Sequence, residues 1–405
     1  MESCKLFEIN TMRMNRYSSQ VLGIAPLIAV LTGGIAAAND GTDPFAAWWG
    51  GLLDHAVLYE NKENPVIQKL AFTGRAQWDF VMIDGDGTPI SGFNDSDLDY
   101  QDFNTRRLRA GFKATLFNDF TAHIEGDFDP DVDSAYQRLT DAYIGWSRSD
   151  ALEIKLGKQG MAFTLDGSTS SKELLTIDRN NLSNNLWFGT EYIPGLTVGG
   201  TAKGWFYNAG VFSQGEQDAE FGSFTTGSAW VGTVGYDFSK WLGAEEASLQ
   251  LDYVYNEETP SNPTLFTNRS MGQVVSLNGR YHDGCFGVRT DLSFGDGFLG
   301  QSDMWGFVFM PYVDLTDKLQ LVARYTFIDS DRNDGVRFNG RYDNAVVNSR
   351  RGDQYQEAYL GLNYYLHGHK VKLQTGLQYV SMRDQANNGG AFDGWNLTTG
   401  IRFSW

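Results

Sequence analysis

From Gln68 to Ile83 the residues alternate in character. Leu70, Phe72, Gly74, Ala76, Trp78, Phe80 and Met82 share one parity, and Lys69, Thr73, Arg75, Gln77 and Asp79 share the other. Successive side chains of an extended strand point to opposite faces, so the run is a strand with one apolar and one polar face. The pattern recurs. Leu108, Ala110, Phe112, Ala114 and Leu116 alternate with Arg107, Arg109, Lys113 and Thr115; Val371, Leu373, Thr375, Leu377 and Tyr379 alternate with Lys372, Gln374 and Gln378. Such segments fall at 68–83, 105–117, 119–129, 138–148, 152–161, 191–203, 204–214, 229–239, 247–257, 271–282, 285–295, 304–316, 318–330, 355–366, 369–383 and 395–405, sixteen in all.

Their connections alternate in length. Asn118-Asp119, Ser149-Asp150, Lys203-Gly204, His282-Asp283-Gly284, Thr316-Asp317-Lys318 and His367-Gly368-His369 are tight turns. Between them lie longer polar loops at 84–104, 130–137, 162–190, 215–228, 258–270, 296–303, 331–354 and 384–394. An even number of antiparallel strands with short turns at one end and long loops at the other is the arrangement of an outer-membrane barrel. Many segments reach the length of about 9–11 residues that a tilted strand needs to cross a bilayer. The expected fold is therefore all-β: a transmembrane antiparallel barrel of about 16 strands, with short periplasmic turns and long external loops. In hydrocarbon, closure is what gives every backbone N–H and C=O a partner. Aromatics at strand ends, such as Trp146, Trp241, Trp305, Tyr364 and Trp395, suit the interface girdles of such a barrel.

Composition removes the competitors. Aromatic residues make up 14%, which excludes disorder, and 41% hydrophobic residues are too few for a helical membrane bundle. A net charge of −18 argues against nucleic acid as a partner, and two cysteines exclude a disulfide scaffold.

At the N-terminus, Lys5, Arg13 and Arg16 precede the apolar run Val21–Leu31, which ends in Ala36-Ala37-Ala38. That is the layout of a secretory signal over 1–38 with its cleavage site. Residues 39–67 then read as a periplasmic segment, with Phe45, Trp48, Trp49, Leu52 and Leu53 at helical spacing, and residues 68–405 as the barrel.

Function belongs to the inner face. By parity Arg75, Arg107, Arg109, Lys113, Lys155, Arg280, Arg289, Arg324, Lys372 and Arg402 point inwards, with Asp79, Glu125, Asp127, Glu153, Asp252 and Asp291 available to pair with them. A charge at mid-depth on the lipid face costs roughly 2–4 kcal/mol, so lumenal placement is expected on physical grounds alone. The same residues form a basic track for anions, since the planar guanidinium fork grips phosphate and carboxylate. The loop 162–190, with Asp166, Lys172, Glu173, Asp178 and Arg179, is the candidate constriction, folded into the pore. Other chemistry is weak. Asp84-Gly85-Asp86-Gly87 and Asn94-Asp95-Ser96-Asp97 lack the full calcium-loop pattern, and His367-Gly368-His369 reads as a turn. His123 faces inwards with no matching Ser, so no enzyme, catalytic residue, metal or cofactor is expected.

Several stretches carry a family resemblance. Gly74-Arg75-Ala76-Gln77-Trp78-Asp79, followed by Asn104-Thr105-Arg106-Arg107-Leu108-Arg109-Ala110-Gly111-Phe112, resembles the opening hairpin of the phosphate-selective porin O and P family. Leu156-Gly157-Lys158-Gln159, Ser170-Ser171-Lys172-Glu173 and Asp178-Arg179-Asn180 match in order, and the likeness covers about 68–215 and 355–405. The resemblance implies a sixteen-stranded homotrimer in an outer membrane of Gram-negative type, among its lipids and lipopolysaccharide. It also implies an infolded third loop and a basic pore lining. Arg75, Arg107, Lys172 and Arg179 match basic positions of the family. Gly167 stands where the phosphate-selective members carry a further Lys.

The expectation is passive diffusion of small solutes with an anion or phosphate preference, through a constriction lined by Arg75, Arg107, Arg109, Lys113, Lys172, Arg179 and Arg324. Two alternatives stay open. One is a porin for sugars or other neutral nutrients, served by inward Tyr143, Tyr359 and Tyr365. The other is a non-conducting structural barrel tethered through residues 43–67.

Overall fold

The computed structural model describes residues 55–87, 97–130, 134–186, 192–213, 220–221, 227–257, 271–338 and 341–405. The signal expected over 1–38 and the helical spacing of 45–53 lie outside them. After a short strand β1 (Val57–Glu60) come β2 (Ile67–Gly87), β3 (Asp97–Leu116), β4 (Phe120–Phe128), β5 (Tyr136–Ser149), β6 (Leu152–Gly160), β7 (Tyr192–Ala202), β8 (Trp205–Ser213), β9 (Ser228–Asp237) and β10 (Glu246–Asn256). Then follow β11 (Met271–Asp283), β12 (Phe286–Gly297), β13 (Met304–Asp314), β14 (Leu319–Ser330), the two-residue β15 (Val336–Arg337) and β16 (Arg351–Gly352), β17 (Gln354–His367), β18 (Val371–Arg383) and β19 (Phe392–Ser404). Among the described residues three short helices sit in connections: α1 (Asn181–Leu186), α2 (Ser239–Leu242) and α3 (Asp343–Val346).

Leaving aside β1, β15 and β16, sixteen antiparallel strands pair neighbour to neighbour and close on themselves. Closure runs through β19 and β2, with Ser404 opposite Arg75 and Phe392 opposite Gly87. The barrel expected from the alternation is thus the fold. β1 pairs with β2 beyond the end of β19, Val57 facing Ala71 and Glu60 facing Lys69. The end of the segment expected to precede the barrel therefore prolongs its seam. Turns such as Lys203-Gly204 and Gly284 need left-handed backbone, and Gly204 (φ 86°) and Gly284 (φ 61°) supply it without steric cost.

The two parities separate as the alternation demands. Phe103, Ile144 and Leu156 are 69%, 61% and 64% exposed on the outer face. Gln77, Asp79, Arg109, Asn278 and Arg324 are buried within the barrel. Two departures from the expected strands matter. β2 runs on to Gly87 and β3 starts at Asp97, so the loop expected over 84–104 is largely a raised hairpin. Asp84 lies between Asp99 on β3 and Trp395 on β19; ladder bonds on both sides override the poor strand propensity of Asp and Gly. Asp84 and Asp86 thus stand on a paired strand and not in a chelating loop. The second departure is a bulge: Gln77 faces Arg107 while Trp78 faces Thr105, leaving Arg106 as the extra residue.

The lumen is not uniformly polar. Met161, Phe163, Leu165, Leu182 and Leu186 from the third long connection form one apolar cluster with Val336, Phe338, Tyr342, Val346 and Val347 from the connection between β14 and β17. Inward residues near the loop end of the strands, including Val81, Ile83, Val308, Ile328 and Phe392, complete it. The loop expected to be external over 331–354 is therefore also drawn inside at 336–338 and 342–347. Each fully buried Leu or Phe stabilises by about 1.5–3 kcal/mol, enough in aggregate to hold two polar-rich loops off the surface.

Candidate functional site

The third connection enters the lumen on two carboxylates. Asp252 on β10 accepts the Thr164 N–H at 3.0 Å, and Asp291 on β12 accepts the Leu165 N–H at 2.8 Å. Both carboxylates are buried and have no ion pair among the described residues. Neutral donors satisfy them instead: Thr233 and Asn278 for Asp252, Ser276 and Ser293 for Asp291. A buried anion persists only with such full hydrogen bonding.

Further along, guanidinium and ammonium groups of the wall grip the loop. Arg106, aimed inwards by its bulge, meets Asp178 at 3.0 Å. Burial opposes ionisation of Asp178, but Arg106, Arg341, Arg107 and Arg402 together hold its carboxyl below the usual range. Arg324 donates to the Thr176 hydroxyl at 2.7 Å and the Asp178 carbonyl at 3.0 Å while paired with Glu357 at 2.7 Å. Arg402 reaches the Ile177 carbonyl at 3.2 Å and also pairs with Asp79. Lys372 donates to the Leu174 carbonyl at 2.7 Å. Among the described residues the loop's wall hydrogen bonds run to β2, β3, β10 to β12, β14 and β17 to β19, leaving the wall of β4 to β6 clear of them.

The residues expected at the constriction therefore divide. Arg324 and Arg179 are buried clamps. Arg179 closes the loop on itself through the Asp166 carbonyl at 2.8 Å and the Thr169 carbonyl at 3.1 Å. Arg107 is buried against Gln77 at 2.9 Å. Arg75 bridges Ser171 on the loop, at 2.6 Å, and Glu125 on the wall, at 3.3 Å. Arg109 donates to the Tyr192 hydroxyl at 2.6 Å, pairs with Asp127 at 3.2 Å and lies 5.0 Å over the Tyr192 ring. Arg138 approaches the same ring at 5.6 Å. Lys172 holds the Trp405 carbonyl at 3.1 Å. Burial, and then the like charge of Arg75, push its ammonium down to about 8. Lys113 stands apart: it is exposed, faces His123 across the β3–β4 ladder, and has no ion pair among the described residues.

Three sequence readings change here. Gly167 is required by space, because a Cβ there would lie 2.1 Å from the Phe163 carbonyl oxygen, so no Lys fits in this loop conformation. Tyr359 is covered by the loop, with the Ile177 N–H donating to its hydroxyl at 3.4 Å, and offers no face to a solute. Asp252 and Asp291, read as partners for bases, instead receive backbone. Arg106 and Arg341 were missed. For Arg106 the signal was present, since a charged residue on the apparently outward parity of a membrane strand is itself improbable.

The Arg324–Glu357 pair sets a test. Arg324→Ala leaves Glu357 buried without its counter-charge and destabilises the barrel by about 3–5 kcal/mol. Urea titration followed by electrophoretic mobility of the folded form reads the loss, and Arg324→Ala combined with Glu357→Gln recovers much of it.

Comparison with known proteins gives the following. The sequence profile of the family described as phosphate-selective porin O and P matches residues 70–283. No curated protein matches the sequence. Among solved structures, the chain resembles the outer membrane channel DcaP of Acinetobacter baumannii at 13% identity and TM-score 0.54, covering 86% of this chain and 99% of that one. It resembles the anion-selective porin from Comamonas acidovorans at 13% identity and TM-score 0.56, covering 83% and 99%. It also resembles the trimer form of OmpT, an outer membrane protein of Vibrio cholerae, at 13% identity and TM-score 0.51, covering 83% and 99%. These likenesses are of fold.

Proposed function

The chain belongs to the phosphate-selective porin O and P family, an outer-membrane porin by family and fold, and we propose that its passive diffusion path favours small anions. The path runs between the infolded loop and the wall of β4 to β6, to which that loop makes no hydrogen bond among the described residues and where Glu220 pairs with Lys158. Lys113 carries the reading: it is a lumenal cation that neither clamps the loop nor pairs with an acid among the described residues.

Around it the charges form a descent. Arg138 and Arg109 flank Tyr192 nearer the long loops, Arg75 and Lys172 stand where the loop meets the wall, and Lys113 lies nearer the short turns. Arg109 and Lys113 share one face of β3, four residues and so about 14 Å apart. That separation is within two Debye lengths of about 8 Å, and Lys172, close enough to feel Arg75 and Arg109, adds positive charge nearby, so a hydrated anion stays within reach of a cation along the path. Phosphate specificity is not part of the proposal, since the position of the family's additional Lys is taken by Gly167.

Reversal potentials in planar bilayers test it. The wild type is expected to prefer chloride over potassium, and Lys113→Glu to lower that preference by several fold without loss of the folded form. A cation-selective wild type overturns the anion reading, and a barrel without conductance favours the structural alternative.

Lys172 adds a pH dependence. It is charged below about 8 and neutral above it, so anion preference falls as the pH rises from about 7 to 9. Lys172→Arg, which stays charged, holds the preference level across the same range.

We also propose that the chain works as a trimer, in keeping with the family resemblance and the trimer form of OmpT. Native mass measurement in mild detergent is expected to give three chains; one chain refutes it.

A further inference from the structure

The wall grips the third loop between Thr164 and Asp178, and α1 follows at Asn181–Leu186, held by another loop. Asn185 is buried, and both polar atoms of its amide meet one residue of the connection between β14 and β17. Its Oδ1 accepts the Arg337 N–H at 2.9 Å, and its Nδ2 donates to the Arg337 carbonyl at 3.3 Å. One turn earlier on the same face of the helix, Asn181 donates to that carbonyl at 2.8 Å. Arg337 lies in β15, which pairs with β16 through Val336 opposite Gly352 and Arg337 opposite Arg351. A donor and an acceptor offered together to one residue's N–H and C=O are what a neighbouring strand supplies, so Asn185 stands in for a third strand of this small sheet.

The connection has footings of its own. Phe338 packs on Phe392 of β19 with ring centroids 4.7 Å apart. The buried Gln301, from the connection between β12 and β13, donates to the Gly335 carbonyl at 3.0 Å. Arg341 pairs with Asp79 of β2 at 3.6 Å, and Asp343 at the start of α3 holds the Arg337 guanidinium at 2.6 Å. Tied at several points of the ring, β15 is a fixed seat for α1. The helix is joined as firmly to the edge of the path. The Ser183 N–H donates to Asn180 Oδ1 at 2.7 Å, and Asn180 donates to the Asp166 carboxylate from its N–H at 2.7 Å and from its Nδ2 at 2.8 Å. The Thr164 hydroxyl meets that of Ser183 at 3.0 Å. Beyond Asp166 the loop presents Ser171 to Arg75 and Lys172 to the Trp405 carbonyl. A displacement of α1 is therefore carried through Asn180 and Asp166 to the stretch that borders the path, since close-packed and fully bonded groups move together.

We propose that the connection between β14 and β17 is a brace that sets the aperture of the diffusion path, and that Asn185 is the positioning residue through which it holds the third loop. The wall clamps fix how far the loop stands from β14 and β17 to β19; the brace fixes the tilt of its far limb, and with it the gap left towards β4 to β6. Pore width and pore charge are separate determinants of what passes. Here they fall to separate residues, since neither Asn185 nor Phe338 borders the path or carries charge. The proposal rests on the path described above and adds what fixes its width.

The test sizes the open channel with neutral polyethylene glycols of graded mass, which lower single-channel conductance only when they enter. Asn185→Leu keeps the volume of the side chain and removes its hydrogen bonds. It is expected to admit larger polymers than the wild type and to raise open-channel current noise several-fold, with the chloride-over-potassium preference kept. Phe338→Leu, which loosens the footing on β19, shifts the exclusion size in the same direction. Because both act through one contact, the two substitutions together shift it no further than Asn185→Leu alone. An unchanged exclusion size in conducting Asn185→Leu channels overturns the brace and leaves the channel reading standing, and fully additive shifts overturn the route through Asn185. A wild type without conductance overturns the path and the brace with it. Should Asn185→Leu fail to assemble, Asn181→Ala, which removes a single donor to the Arg337 carbonyl, replaces it; a smaller shift of the same sign is expected, and wild-type exclusion overturns the brace.

Discussion

The pairing of backbone N–H and C=O groups in hydrocarbon is the constraint from which the other features follow. It demands that β19 return to β2, and once the ring is closed the chain has an inside separated from lipid. Charged residues on membrane strands then have one destination. The parity that places Leu70 and Phe72 outwards places Arg75 and Asp79 inwards, and Arg106, which parity alone would misplace, is returned to the lumen by a bulge. Closure therefore concentrates cations in a confined space, where most serve architecture.

That service explains why few of the inward bases are free for solute. An infolded loop presents carbonyls and hydroxyls that need donors, and Arg324, Arg402, Lys372 and Arg75 supply them from four different strands. Arg suits the task because one planar group can satisfy a loop carbonyl and a wall carboxylate together, as Arg324 does between Asp178 and Glu357. What distinguishes a conducting cation from a clamp is whether its hydrogen-bonding capacity is already spent. On that measure Lys113, which has no ion pair among the described residues, stands apart from Arg179 and Arg324, although all three look alike in sequence.

The strands were legible because hydrocarbon enforces a period of two with little tolerance; the pattern failed at the bulge of Arg106 and where β2 and β3 leave the membrane, at Asp84 to Gly87. The infolding of the third loop, described as far as Leu186, was legible through resemblance. The inward course of 336–338 and 342–347 was not: their apolar residues, Val336, Phe338, Tyr342, Val346 and Val347, are spread among Arg, Asn and Asp with no strand or helix period. Their burial depends on meeting Phe163 and Leu182, which lie far away along the chain. The same limit applies to the site. Sequence locates a base on a face, but its partner is set by where the loop comes to rest.

The loop's fastenings also bear on how the protein is made. Thr164 is tied 88 residues ahead to Asp252, and Lys172 is tied to Trp405, 233 residues on, at the far end of the chain. Interactions so distant in sequence form late, after the intervening chain has been ordered. Until β19 has docked on β2, the loop has no Lys372, Arg402 or Trp405 in place to receive it, and Phe163, Leu165 and Leu182 remain uncovered. A seated loop is thus a record that the ring has closed. An incomplete barrel instead displays a greasy, unsatisfied segment, the kind of surface that chaperones and proteases of the envelope can tell apart from a finished molecule.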